Sequence, residues 1–184
     1  MHADILTPPA GPVLGLEEAR AFLRLSGPQD DPVVAGLVAA AEAWVEAETG
    51  LALMPRRLRG RVAFTRQMLA GPGLRLRPGP VQQVEVISLV GGSDLSGMLH
   101  WSDHRLRLAD RSAAAALPGR GELELTWQAG FPEPPGVPAD LRFAVSRLVA
   151  EGYARRGLSG ETGDVAGLPG DVAVILAHYT GVRL

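Results

Sequence analysis

The stretch Trp127-Gln128-Ala129-Gly130-Phe131-Pro132, continuing as EPPGVPADLRFAVSRLVAEGYARR over residues 133–156, decides how the rest of the chain is read. It starts at the aromatic end of an apolar–polar alternation, Glu122 to Trp127, which is the period of a strand. Gly130 and the prolines then interrupt any regular backbone. Pro138 opens a helix whose apolar stripe is Leu141, Ala144, Val145, Leu148, Val149 and Gly152. Asp140 in its first turn and Arg155-Arg156 in its last suit the helix dipole. This strand–turn–helix unit, taken alone, implies only a folded core.

Upstream, two more helices are expected. Leu16, Ala19, Phe22 and Leu23 recur at helical spacing behind Glu17 and Glu18, and Ser26-Gly27-Pro28 ends that helix. Gly15 stands where a hydroxyl cap is usual, which predicts a weakly held first turn. Asp31 is read as the N-cap of the second helix, with Pro32 at its first position. Val34, Leu37, Val38, Ala41, Trp44 and Val45 form its apolar face, and Gly50 closes it. Residues 1–14, with three prolines, read as an extended arm. Between the helices, Leu74 to Arg77, Val84 to Val90, Arg105 to Leu108 and Glu122 to Trp127 read as short strands. Gly157 to Gly170 is a glycine-rich loop before a last helix with Val172, Ile175, Leu176 and Tyr179 on one face. The layout is two helices, a β-rich middle, then two helices.

Composition narrows the function classes. The 184 residues are 46% apolar and 21% charged, an ordinary globular balance. There is no cysteine, so thiol nucleophiles, thiolate metal sites and disulfides are excluded. All 18 basic residues are arginine, which removes Schiff-base and P-loop lysine chemistry. A net charge of -2 argues against a dedicated nucleic-acid binder. No secretory leader and no run of roughly 20 apolar residues is present, so a cytoplasmic protein is expected, one that leaves the cell only inside something larger.

No constellation points to catalysis, and no cofactor is implied. His100 and His104, with Asp103 between them, are spaced for a metal, but no further ligand completes a site. A hydrolase built on Asp103 and His104 is the remote alternative. Neither a nucleophile elbow nor a phosphate-cradling glycine loop occurs.

Charge is segregated instead. Arg56, Arg57, Arg59, Arg61, Arg66, Arg75 and Arg77 lie between Met54 and Val84 without one acid. Asp30, Asp31, Glu42, Glu46 and Glu48 lie between Leu25 and Met54 without one base. Three readings stand: local self-pairing on a solvated surface, basic and acidic faces that meet between copies, or arginines against DNA phosphate. The second predicts a ring that weakens in high salt.

Leu16 to Arg24, Asp30-Asp31 with Leu37 to Glu46 and Thr49-Gly50, and Leu125 to Pro132 with Val137 to Arg142, Tyr153 and Arg155 occur in a familiar order. With the closing Leu176 to Tyr179 and Arg183-Leu184, they resemble the head–tail connector (adaptor) proteins of tailed phages and gene transfer agents. The resemblance covers most of the chain outside residues 51–120. It implies an α+β, mainly α fold: a helical-bundle core of about four helices with a β-rich insertion between helices 2 and 3. On that reading residues 15–184 are a single connector domain, with 51–127 the insertion and 138–184 the C-terminal helices and tail. It also implies a homo-oligomeric ring, commonly dodecameric, below a portal protein and above a tail-side stopper or tail terminator protein. DNA would pass through the lumen, no membrane would be involved, and the location would be a virion or phage-like particle assembled in the bacterial cytoplasm. A packaging-associated DNA-binding factor is the alternative. Arg56, Arg57, Arg59, Arg61, Arg75 and Arg77 are the expected subunit contact, and Tyr179, Val182, Arg183 and Leu184 the expected partner-docking tail.

Overall fold

A computed structural model describes residues 2–156 and 168–180. The fold is mixed α+β. It contains strands β1 (His2–Thr7), β2 (Arg56–Thr65), β3 (Val81–Leu89), β4 (Leu99–Ser102), β5 (Arg105–Leu108) and β6 (Arg120–Ala129). The helices are α1 (Leu16–Leu23), α2 (Asp31–Thr49), α3 (Arg66–Ala70), α4 (Ala139–Arg155) and α5 (Gly170–Tyr179). Two compact units divide the chain, one of Met1–Pro9 with Pro55–Gly130, the other of Ala10–Met54 with Phe131–Leu184.

The first unit is built on an antiparallel sheet in the order β1-β2-β6-β3. Strand β2 alternates: Leu58, Gly60 and Phe64 are buried, while Arg57, Arg59, Arg61 and Thr65 are exposed. Its inward face, with Leu123, Leu125 and Trp127 of β6, forms a core with Leu69 of α3, Leu106 and Leu108 of β5, and Leu117. Trp127 is fully buried, and burial of an indole of that size is among the largest apolar contributions a small domain can have. The β4–β5 hairpin turns through Asp103 and His104, whose φ angles of 50° and 58° are those of a two-residue type I′ turn.

Strand β2 falls in the β-rich middle expected from residue 51 onward, but its bounds are hidden because arginines dominate the run and its inward residues include a glycine. Residues 2–7, read as part of an arm, are hydrogen-bonded to β2 from His2↔Arg61 to Thr7↔Arg57. Leu74 to Arg77 was read as a strand; it is an irregular segment whose Leu74 makes a single bridge to Leu106.

In the second unit, α2 packs on α4, and α1 and α5 pack against both. Val34, Val38, Ala41 and Val45 of α2 meet Leu141, Ala144, Val145 and Val149 of α4 in one core, which Val172 and Leu176 of α5 complete. Helix α2 stops at Gly50, which adopts φ 67° and donates its N–H to the Glu46 carbonyl. Trp44, expected on the apolar face of α2, is instead 37% exposed. Gly15 caps α1 without any side-chain hydrogen bond, as its missing hydroxyl predicts. The cap of α2 falls on Asp30, one residue before the expected Asp31, and its carboxylate caps nothing because α4 uses it.

Candidate functional site

The outward face of β2 is the first candidate surface. The alternation that buries Leu58 and Gly60 projects Arg57, Arg59 and Arg61 to the other side, opposite Gln128, Thr126 and Glu124 of β6. An open depression of ≈ 1050 Å³ lies here, lined by Asp4, Arg59, Arg61, Glu122 and Glu124 among others. Arg57 sets its Nη2 2.6 Å from Glu85 Oε2, and Gln128 donates to Glu85 Oε1 at 2.9 Å. The Arg57 hydrogen bond, and then that of Gln128, hold the Glu85 carboxyl below the usual carboxylate range. Arg59 Nε lies 2.9 Å from Glu124 Oε1. These two arginines are therefore matched within the sheet, at sites exposed enough that each pair adds little stability.

The remaining arginines differ. Arg61 is exposed and makes no ion pair among the described residues. Arg75 and Arg77 are exposed and alternate with the buried Leu74 and Leu76 on the segment leading to β3, which is not part of β2. Arg56 points to the opposite side of β2 from Arg57, Arg59 and Arg61. Arg66 donates to the Leu117 carbonyl and is a structural contact. The expected arginine set is thus split between the two faces of β2 and a separate segment.

The second candidate is the end of the chain. Tyr179 donates its hydroxyl to both oxygens of Asp140, at 2.7 and 2.9 Å, joining the end of α5 to the start of α4. Burial first, and the Asp140 hydrogen bond second, push the phenol up to about 12. Val182, Arg183 and Leu184 lie outside the described residues.

Sequence reasoning missed a cluster at the far end of α4. Tyr153 donates to Asp30 Oδ2 at 2.5 Å, Arg156 Nη1 lies 2.9 Å from Asp30 Oδ1, and the Arg156 guanidinium sits 3.8 Å above the Tyr153 ring. The Tyr153 hydrogen bond, then that of Arg156, lower the Asp30 pKa, and the same hydrogen bond raises that of Tyr153. Tyr153 and Arg156 are one turn apart, but Asp30 lies 123 positions away from Tyr153, a separation that periodicity cannot bridge. The acidic span upstream is largely spent in the same way. Glu42 accepts from the Val13 N–H at 2.5 Å, Glu46 from the Leu53 N–H at 2.7 Å, and Asp31 lies 3.5 Å from Arg20.

The histidines are occupied otherwise. His104 is a turn residue, and His100 Nε2 lies 3.1 Å from Ser102 Oγ. Among the described residues, no group of three metal-ligating side chains occurs, and no helix is long and apolar enough to cross a membrane.

One solved structure, the neck of an empty GTA particle computed with C6 symmetry, contains a chain 26% identical to this one. The match covers 100% of this chain and 97% of that one, with a TM-score of 0.74. A chain of the virion of a native gene transfer agent particle matches at 27% identity with the same coverages and a TM-score of 0.73. The neck of the native particle, computed with C12 symmetry, gives 26% identity, again 100% and 97% coverage, and a TM-score of 0.73. No family model matches the sequence, and no curated protein matches it either. The likeness spans both units, and it supports a structural role in a phage-like particle.

Proposed function

We propose that this chain is a head–tail connector (adaptor) subunit of a phage-like particle. Its copies form a ring, a dodecamer in this reading, below the portal protein. The ring continues the DNA channel and receives a stopper or tail terminator protein on its other side. DNA crosses the lumen without sequence-specific contact. The observation that carries this reading is the end-to-end likeness to a chain of a particle neck, at 100% and 97% coverage. One of those necks was computed with C12 symmetry, which suits a twelve-membered ring. The role is mechanical and non-enzymatic.

Within this reading Arg57 and Arg59 keep the sheet face in order, and Arg61, Arg75 and Arg77 are left to reach a neighbouring copy. Val182, Arg183 and Leu184, following the anchored Tyr179, dock on the portal. Native mass spectrometry of the purified chain, alone and mixed with the portal, tests the proposal. Rings that co-purify with the portal are expected. A monomer that ignores the portal would overturn it, and deletion of Val182 to Leu184 without loss of particle assembly would remove the docking role of the tail.

A packaging-associated DNA-binding factor is the second reading, favoured by the exposed Arg61, Arg75 and Arg77, which make no ion pair among the described residues. A gel shift that falls steeply with salt, and is lost on replacing Arg61, Arg75 and Arg77 by Ala, would favour it.

A further inference from the structure

The sheet of the first unit has two ends, and they are finished differently. At one end, β3 is partly closed: Leu95 donates to the Ile87 carbonyl, Leu89 donates to the Ser93 carbonyl, and Ser88 bridges Asp94. That leaves the six positions Val81–Val86 without a strand on their outer side among the described residues. At the other end, β1 is six residues long and has no strand beyond it among the described residues. Ile5 is 54% exposed and Leu6 45%, and the strand contains neither proline nor lysine. Proteins usually blunt such an edge with prolines, lysines or bulges; β1 has one register irregularity, between Ile5 and Thr7, and the outward N–H and C=O groups of the rest of the strand can still recruit another strand. Across the sheet, Val86 is 47% exposed at the open part of β3.

Strand direction supplies the remaining constraint. Each of the three pairings in the order β1-β2-β6-β3 is antiparallel, so β1 and β3 run in opposite directions. A second copy placed beside the first by a rotation that keeps strand direction presents its β1 antiparallel to β3 of the first. The open stretches are each six residues long, with register irregularities between Ile5 and Thr7 on β1 and between Val81 and Gln83 and between Val84 and Val86 on β3. Because the two edges are different surfaces, the contact is heterologous and can propagate round a closed ring, which a β1–β1 pairing about a two-fold axis cannot.

We propose that neighbouring copies of this chain join by edge-strand addition, β1 of one copy pairing antiparallel with Val81–Val86 of the next, with Ile5 and Leu6 buried in the seam. This rests on the ring reading above and specifies which surfaces make it. Main-chain hydrogen bonds give the contact its strength, and the exposed Ile5 and Leu6 add apolar contact on its β1 side.

The chain has no cysteine, so engineered pairs report cleanly. The test is a set of full-length variants carrying Ile5→Cys together with Gln83→Cys, Val84→Cys or Val86→Cys in turn, and Ile5→Cys alone as control. Cα atoms facing each other across antiparallel strands are about 4.5–5.5 Å apart, within the span a disulfide bridges. Under mild oxidation at least one pair is expected to give a ladder of covalent multimers ending at the ring size, while Ile5→Cys alone stays unlinked. A ring by light scattering with no ladder from any pair would overturn the seam and leave the ring reading standing. Dimers from Ile5→Cys alone would overturn it in favour of two-fold pairing. A chain that stays monomeric and never links would overturn both. As an independent check, Ile5→Lys should raise the concentration needed for ring formation at least tenfold with unchanged circular dichroism; unchanged assembly would count against the seam.

Discussion

The helical unit and the sheet unit treat their polar side chains in opposite ways. In the helical unit nearly every charged contact closes inward: Asp30 on Tyr153 and Arg156, Asp140 under Tyr179, Glu18 on Arg142, Asp171 on Arg147, Glu42 and Glu46 on backbone N–H groups. In the sheet unit Arg57 and Arg59 are paired, but Arg61, Arg75 and Arg77 are exposed without ion pairs among the described residues, and β1 leaves an apolar edge uncovered. One unit spends its polar groups on holding itself together, and the other keeps some for contact. On the proposed connector reading, that division separates the scaffold from the seam.

Trp127→Ala would break the comparison most severely. Removing a fully buried indole costs about 3–5 kcal/mol, which should move the urea midpoint of the sheet unit far below that of the wild type by circular dichroism. Leu141→Ala, in the other core, is expected to cost about 2–5 kcal/mol by the same measurement. A smaller loss is expected from Asp30→Asn, which takes the carboxylate from Tyr153 and Arg156. The folded-state pKa of Asp30 is depressed, so its contribution is present above the ordinary carboxylate value and disappears as pH falls through the lowered one. Wild type and Asp30→Asn should therefore differ in thermal midpoint at neutral pH and converge in acid.

Tyr179 gives the opposite sign. Its pKa is raised from 10.0 to about 12, so the stability it adds is complete below 10 and is lost as pH rises through about 12. Tyr179→Phe should remove that alkaline dependence, which a pH titration of the unfolding midpoint would reveal. The least change in folding is expected from Arg61→Glu: stability within about 0.5 kcal/mol of wild type, as for most surface substitutions, but weaker ring formation at low salt. An Arg61→Glu protein that assembles like wild type would remove this arginine from the subunit contact.

Much of the helical unit was legible in the sequence, because apolar spacing, Gly50 and the prolines around α4 are local signals. The buried positions of α4 were read almost as they stand, Ser146 being an addition and Leu148 and Gly152 only part-buried. Strands β1 and β2 were not legible. Residues 2–7 become a strand only through pairing with residues 57–61, far along the chain, and arginines on alternate positions hide the apolar face of β2. The proposed contact surface was half visible: the arginine run could be counted, but its division between the two faces of β2 and the Leu74–Arg77 segment needed the fold. Tyr153 with Asp30 could not be joined from sequence at all, since 123 residues separate them.

The central claim is that this chain is a link between head and tail of a particle, and its position in an assembled particle tests that most directly. Cryo-electron microscopy of particles carrying a tagged copy should place the tag in a single ring at the junction of head and tail. A tag spread over the capsid shell, confined to the tail tip, or absent from particles that still assemble would contradict the account.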